Sequence, residues 1–548
     1  MKLSNFRFIG ICAAIMAAAL LLFVPAEVWA VGGRQTTTPS AGGRGSITVM
    51  IYDRGNVPTE EGTNENNRWT RWINENGPVN VTYIPIPRQT PEQRLNVLFA
   101  SRSAPDLLVE FSAQINNAHY QDGLIVPVDD MIERYSTVYK NFLTPALRKV
   151  VTYPDGKMYQ FGREQDASPQ RGILIRQDWL DKLNLRIPST IDEFYQVAKA
   201  FAEQDPDGNG IRDTYGVNLD NQMATLAEVF SVMYTSHTLV NGEYVHAWDQ
   251  LAAFYTFVKR LYDEGIVDRD FLSDSNGSRA SQNFLSGKVG IDPGGGNVSV
   301  EQYTTLRQNA PGAVLVNMQY PSTQFGRKNP HLNNPLDLNG TVNADAKDQE
   351  SIMKYIDFMY SFDAAFTLTY GFEGIHYNMV NGIPIRIQEN YNQISYTGDL
   401  RVWVPTSVLR QYASRTMNFD VSIPVEREIF EMRKSKFRLF DYSLPGGNIT
   451  IQNFLPQLPQ DLLVIRSNLL PSGGAQHQEF FQRAVVGGTS YTVDMALRDA
   501  RAAWERGGGN RIDDWYSNWY RQNRNTAVLY PDLYEIMRQQ DMINWYAP

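Results

Sequence analysis

The sequence predicts an α/β protein made of two lobes, the first an open, mainly parallel sheet covered by helices. Three observations predict it. Over residues 46–111, β-branched runs alternate with amphipathic stretches in the order strand, helix, strand, helix, strand, the pattern of a sheet whose strands are joined by covering helices. A second strand-to-helix start follows at 172–183. Finally, 548 residues exceed what one core accommodates and suggest two to four domains or one large two-lobed body.

Lys2 and Arg7 precede an apolar run at 8–24, and Val28-Trp29-Ala30 resembles a small-x-small cleavage site. Residues 1–30 therefore read as an export signal, and 31–45, rich in Gly, Thr, Ser and Pro, as a flexible leader. An uncleaved anchor is the rival reading of 8–24. The fold is expected to begin at Ser46, with a strand at 47–52 that ends in the polar loop 53–56. A helix with Trp69, Trp72 and Ile73 on one face comes next, then a strand at 79–84. Thr90 and Pro91 are expected to open a helix that turns Leu95, Leu98 and Phe99 inward. A strand at 105–111 ends in Glu110 and Phe111. Ligands collect beyond the carboxyl ends of such strands, which nominates Asn56, Glu110 and Phe111; a turn role for Asn56 and a core role for Phe111 are the alternatives.

The strand at 172–176 ends in Arg176, placed to grip a ligand or to pair with Asp178 or Glu164. Thr190-Ile-Asp-Glu193 forms a capping box, and Phe194, Val197, Ala198 and Phe201 follow at i, i+3, i+4 and i+7. Amphipathic helices are expected at about 222–235 and 249–264. A short strand at 287–291 runs into the glycine cluster 292–297, which lacks phosphate-loop spacing and reads as a hinge or a close backbone approach to a ligand. Val314, Val316 and Met318 alternate as a strand does, leading to Tyr320, Phe325 and Arg327. Residues 344–367 read as one long helical stretch, 371–377 as a compact cluster of acid, imidazole and aromatic, and the chain beyond 415 as helical.

With 59 acids against 50 bases, the net charge of -9 excludes a phosphate-rich partner such as nucleic acid. The single cysteine, Cys12, lies within the export signal in a context unlike a lipid-modified cysteine. The mature chain is thus expected to lack disulfides and thiol chemistry and to lie free in a periplasm or outside the cell. His119, His237, His246, His331 and His477 show no paired metal-binding spacing, so a catalytic zinc is not expected.

Residues 205–216 place oxygen donors at alternate positions with glycines between them. Counted as a calcium loop, Asp205, Asp207 and Asn209 fill positions one, three and five, the Ile211 carbonyl seven and Asp213 nine. Gly210 takes the sharp turn at six, but Gly216 stands where a bidentate Glu is expected. The alternative is a polar surface turn that binds nothing.

Trp179-Leu-Asp-Lys-Leu183, Thr190-Ile-Asp-Glu-Phe194, the aspartate loop, Phe284-Leu-Ser-Gly-Lys-Val-Gly290 and Gly371-Phe-Glu-Gly-Ile-His-Tyr377 occur in that order. Together they resemble the extracellular solute-binding proteins of ABC importers, in the LplA-like branch related to alginate-oligosaccharide binders. The resemblance implies a periplasmic-binding-protein-like fold: two discontinuous α/β lobes, a hinge, a cleft that closes round a sugar, and extra C-terminal helices. Lobe 1 is expected at 46–170 plus about 315–410, and lobe 2 at 171–314 plus about 411–548. The resemblance also implies a structural Ca2+ held by Asp205, Asp207, Asn209, Ile211 and Asp213, although Thr214 stands where members of this branch often carry Glu.

A sugar cleft needs aromatic faces for the rings and amides, carboxylates or guanidinium groups for the hydroxyls. Glu373, His376 and Tyr377 are nominated on the family's cluster, and Asn297, Phe325, Arg327 and Trp403 as further rim residues, with core packing the alternative for Phe325 and Trp403. The expected function is a monomeric, non-catalytic receptor that delivers an oligosaccharide to an ABC permease. The rivals are a secreted glycoside hydrolase and a non-transporting carbohydrate-binding protein.

Overall fold

The computed structural model describes residues 44–153, 155–232, 237–409, 419–450, 454–456, 458–469 and 476–540. The export signal and nearly all of the leader lie outside the described residues. The first sheet contains β1 (Ser46–Asp53), β2 (Asn80–Pro87), β3 (Leu107–Glu110), β4 (Ile125–Val126), β5 (Phe161–Glu164) and β12 (Leu336–Asn343). Its order is β2-β1-β3-β12-β4, with β5 also beside β12. β1 runs parallel to β2 and β3, whereas β12 is antiparallel to its neighbours. The period-two alternation shows in the packing: Ile47, Val49, Ile51, Leu107 and Val109 enter a large core, while Met50, Tyr52 and Leu108 enter a smaller one with Leu95 and Leu98.

The second sheet has the order β11-β6-β10-β7, formed by β6 (Ile173–Arg176), β7 (Tyr215–Val217), β10 (Val289–Asp292) and β11 (Leu315–Met318). β10 is parallel to β7 and antiparallel to β6. Helix Ile191–Glu203 covers the sheet and opens with the expected capping box, Thr190 and Glu193 each accepting the other's backbone N–H. Two hairpins stand apart, β8 (His237–Val240) with β9 (Glu243–His246), and β13 (Tyr377–Val380) with β14 (Ile383–Arg386).

The structure redraws three expectations. β11 pairs with β6, so the second lobe runs past 314 to Met318 rather than yielding to the first at 315. Tyr530, Leu533, Tyr534, Ile536 and Met537 of the helix Tyr530–Gln539, together with Phe437 and Phe440, are buried in the first core, so 411–548 does not belong wholly to the second lobe. An apolar stripe announces that a helix is buried but not against which core. The stretch 344–367 is two helices, Gln349–Met359 and Phe362–Tyr370, because the Ser361 side chain caps the second by accepting the Ala364 N–H. In the same vein, Thr90 makes no side-chain cap bond at its helix.

The chain crosses between the sheets over 165–172 and again over 319–335. These segments run side by side: Gln165 N–H donates to Pro335 O, Gln170 N–H to His331 O and Asn333 N–H to Ser168 O, at 2.7–2.9 Å. Asn329 ties in the return path. Its backbone N–H donates to Pro445 O, its Nδ2 to Asp441 O at 2.6 Å and to Tyr534 Oη at 3.1 Å, and its Oδ1 accepts the Asp441 N–H. Gln540 clamps the first crossing by donating to Glu164 Oε1 and Gln165 O and accepting the Ala167 N–H.

Glu228, from the short helix Ala224–Val229, reaches the same junction and is 3% exposed. Tyr320 Oη donates to its Oε2 at 2.6 Å, the His331 N–H to the same oxygen at 3.4 Å, and Arg171 Nε lies 3.8 Å from Oε1. Burial pushes its carboxyl up to about 7, against the Tyr320 bond and Arg171, which pull it down. A raised folded-state pKa means that the stability this group contributes is full below its ordinary value of 4.5 and is lost as pH rises through about 7. Glu228→Gln, which stays neutral throughout, should therefore flatten the stability profile. Relative to the variant, the wild type should lose on the order of 2–3 kcal/mol between pH 4.5 and 7.5 in urea unfolding; parallel profiles would refute the assignment.

Candidate functional site

The carboxyl ends of β1, β2 and β3 bring together Tyr52, Arg88, Glu110 and Phe111. The Tyr52 and Phe111 rings stack at 5.7 Å and 15°. The Arg88 guanidinium covers both, 4.8 Å from the Tyr52 centroid and 4.9 Å from that of Phe111. Glu110 Oε1 accepts the Ser112 N–H. Glu110 Oε2, Arg88 Nε and the Tyr52 hydroxyl are buried without a protein hydrogen bond. Burial, with the Glu110 carboxylate beside it, pushes the Tyr52 phenol well above its usual range. Arg54 lies at the edge of the Tyr52 ring and holds Asp399 with its Nε at 2.7 and 3.0 Å. Asn56 is exposed on the loop beyond β1. An aromatic floor, a guanidinium and unmatched buried polar atoms at one strand edge can receive a ring bearing hydroxyls.

On the second sheet, β10 ends at Asp292. Burial pushes its carboxyl up to about 6, while the Asn218 amide donates to it at 2.8 Å. Asn297 is exposed beyond the glycines and accepts from Lys436 Nζ at 3.3 Å. Burial, with Arg433 nearby, pulls the Lys436 amine down to about 8. The glycine cluster serves its own lobe: a Cβ on Gly296 would come within 2.6 Å of Asn317 Oδ1 and 2.8 Å of Gly172 Cα. Arg327 bonds Gln319 Oε1 and Ser189 O, and Phe325 packs partly against the second core. At the crossing, a cavity of ≈ 20 Å³ lined by Arg327, Lys328 and Lys436 among others has room for about one water.

Four nominated residues serve the fold instead. Arg176 is buried on Asp178 at 2.5 and 2.8 Å, donates to Gly287 O and stacks on Trp179 at 4.4 Å; desolvated beside a carboxylate, it has its partner already. Trp403 is 1% exposed in the first core and packs on Gly340. His376 closes its own turn by accepting the Phe372 N–H at Nδ1, 3.0 Å, and Tyr377 is buried in the first core. Gly371, at φ +79°, is required there because a Cβ would sit 2.5 Å from the His376 ring. Glu373 is exposed on that turn. Phe372 beside it stacks on Trp69 at 5.6 Å.

In the aspartate loop, Asn209 Nδ2 donates to Asp207 Oδ2 and Asp213 Oδ1, and Asp205 Oδ2 accepts the Gly210 N–H. Asp205 Oδ1 is buried without a partner. A hydrogen bond to Asp207 holds the Asp205 carboxyl low, whereas burial and Asp205 push that of Asp207 up, as when two acids share a site built for a cation. Asp205, Asp207, Asn209, the Ile211 carbonyl and Asp213 thus suit a hard cation. Thr214 turns away, donating to Phe201 O, and Lys288 pairs with Asp213 Oδ2 at 2.6 Å.

The sequence matches the bacterial extracellular solute-binding protein family over residues 62–365. The chain belongs to this family. This solute-binding protein is 29% identical to the polygalacturonan/rhamnogalacturonan-binding protein YtcQ of Bacillus subtilis (strain 168) over 310 residues, 54% of this chain and 60% of that relative, so it spans under two thirds of that relative's length. Its fold is similar to that of an HMO-binding, ABC-transporter-associated solute-binding protein from Bifidobacterium longum infantis ATCC 15697, with a TM-score of 0.62 at 18% identity over 87% of this chain and 99% of that one. It is also similar to alginate-binding protein AlgQ2, solved without calcium ion, with a TM-score of 0.54 at 18% identity over 91% of this chain and 99% of that one. The two-lobed periplasmic-binding fold is thereby established.

Sequence reasoning nominated Glu110 and Phe111 but not Tyr52 and Arg88, which the structure places beside them. The signal was present: Tyr52 and Arg88 stand at the carboxyl ends of β1 and β2, where the same rule applies.

Proposed function

We propose that this solute-binding protein captures an oligosaccharide in the cleft between its lobes and presents it to an ABC permease without chemical change. The observation that carries the reading is the Tyr52–Phe111 stack under Arg88, with Glu110 Oε2, Arg88 Nε and the Tyr52 hydroxyl lacking protein partners. The half-buried Phe111 ring offers an apolar face, with the buried Tyr52 ring behind it, and the polar atoms gain their hydrogen bonds from ligand hydroxyls or carboxylates. Arg88 and Lys436 suit a ligand that carries acidic groups, in keeping with the names of the polygalacturonan/rhamnogalacturonan-binding and alginate-binding relatives. Closure would rotate the lobes about the paired crossings, and the ligand would shift the population towards the closed form. Membership of an extracellular family supports export to the periplasm or cell exterior. Asp205, Asp207, Asn209, Ile211 and Asp213 would hold a structural Ca2+ that pins the end of helix Ile191–Glu203.

Titration with uronic oligosaccharides, followed by calorimetry, tests the reading. Wild type should bind saturably and release no reducing ends; steady release would instead identify a glycoside hydrolase. Arg88→Ala removes a charge-assisted hydrogen bond of about 1.5–3 kcal/mol, so its dissociation constant should rise roughly 10- to 100-fold, and an unchanged value would remove Arg88 from the site. For the loop, calcium at a hundredfold excess over its dissociation constant should add about 2.7 kcal/mol of stability. Asp207→Asn should abolish that gain; a melting temperature indifferent to chelator and calcium alike would leave the loop a turn.

A further inference from the structure

The hairpin β8–β9 lies away from the strand ends described above and carries His237 and His246 directly opposite one another. Its turn, Asn241-Gly242, has positive φ at both residues (50° and 82°), as a two-residue hairpin of this twist requires. Because side chains of directly paired residues leave the sheet on one face, the imidazoles meet, with ring centroids 5.1 Å apart. Asp513 approaches from the helix Asn510–Asn523: its Oδ1 is 2.9 Å from His237 Nε2 and 3.2 Å from His246 Nδ1.

We propose that His237, His246 and Asp513 form a binding site for a divalent transition metal of the zinc type. Three observations support it. The three ligand atoms all lie within 4.8 Å of one another, and the two measured separations match the edge of a tetrahedron with bonds of about 2.0–2.1 Å, which is about 3.3 Å. The second oxygen of Asp513 accepts the Trp504 indole N–H at 2.9 Å, the outer hydrogen bond that orients a ligating carboxylate. The histidine side chains are 1% and 3% exposed but Asp513 is 23% exposed, so an ion can enter from the acid's side with water as a fourth ligand. Two imidazoles and one carboxylate select zinc, cobalt or nickel over calcium, which separates this site from the aspartate loop. Bound there, the ion would clip the hairpin to the C-terminal helices through the cluster of Tyr244, Trp504, Tyr516 and Tyr520.

The whole protein, stripped with chelator, should take up one equivalent of Co2+ with the visible absorption of a tetrahedral ion, and Zn2+ should displace it. Asp513→Asn, which keeps a hydrogen-bonding side chain of the same shape, should weaken Co2+ at least tenfold, as should His246→Gln. Asp207→Asn should leave the spectrum unchanged. The proposal is overturned if wild type shows no such absorption, because the three groups then form only a hydrogen-bonded network. It is equally overturned if both variants retain full affinity. Should either variant fail to fold by circular dichroism, the wild-type stoichiometry and spectrum decide with the other.

Discussion

The architecture depends on a buried carboxylate at the junction of the two lobes. Glu228 accepts from Tyr320 and from the His331 backbone while Arg171 stands beside it, so one side chain of the second lobe meets both crossings of the chain. Burying an acid is costly unless its oxygens are matched; here Oε2 is matched by groups far from Glu228 in sequence, while Oε1 lacks a hydrogen bond and burial raises the carboxyl to about 7. Asn329 performs a parallel task with its amide, joining the second crossing to the return path at Asp441 and Pro445. These bonds fix where the lobes meet.

The strand-end chemistry follows from that geometry. β1, β2 and β3 finish together at one edge because β1 is parallel to both neighbours, and their last residues supply aromatic, cationic and acidic groups to one spot. Period-two alternation puts Met50 and Tyr52 on one face while Val49 and Ile51 face the large core, so the same strand joins a core on either side of the sheet.

What the sequence made legible was local. The strands at 46–111, the capping box at Thr190 and the donor spacing of the aspartate loop are written in short-range patterns, and the structure shows each of these elements. Residues whose role depends on distant partners were less legible. Trp403 looks like a cleft aromatic until Gly340 of β12 is found beneath it. His237 and His246 follow no metal-binding spacing because the hairpin, rather than a helix, pairs them. In each case the deciding neighbour is set by tertiary packing, which periodicity does not encode.

The helix Tyr530–Gln539 has a consequence for how the chain reaches its native state. It completes the core begun by β1, and Gln540 beyond it fastens the first crossing. The core of the first lobe is therefore complete only once Tyr530–Gln539 has packed with β1, far from it in sequence. Domain-by-domain folding from the N-terminus, the usual order during synthesis, is unavailable to it. Such a topology is slow, because its core is built from contacts of long sequence separation.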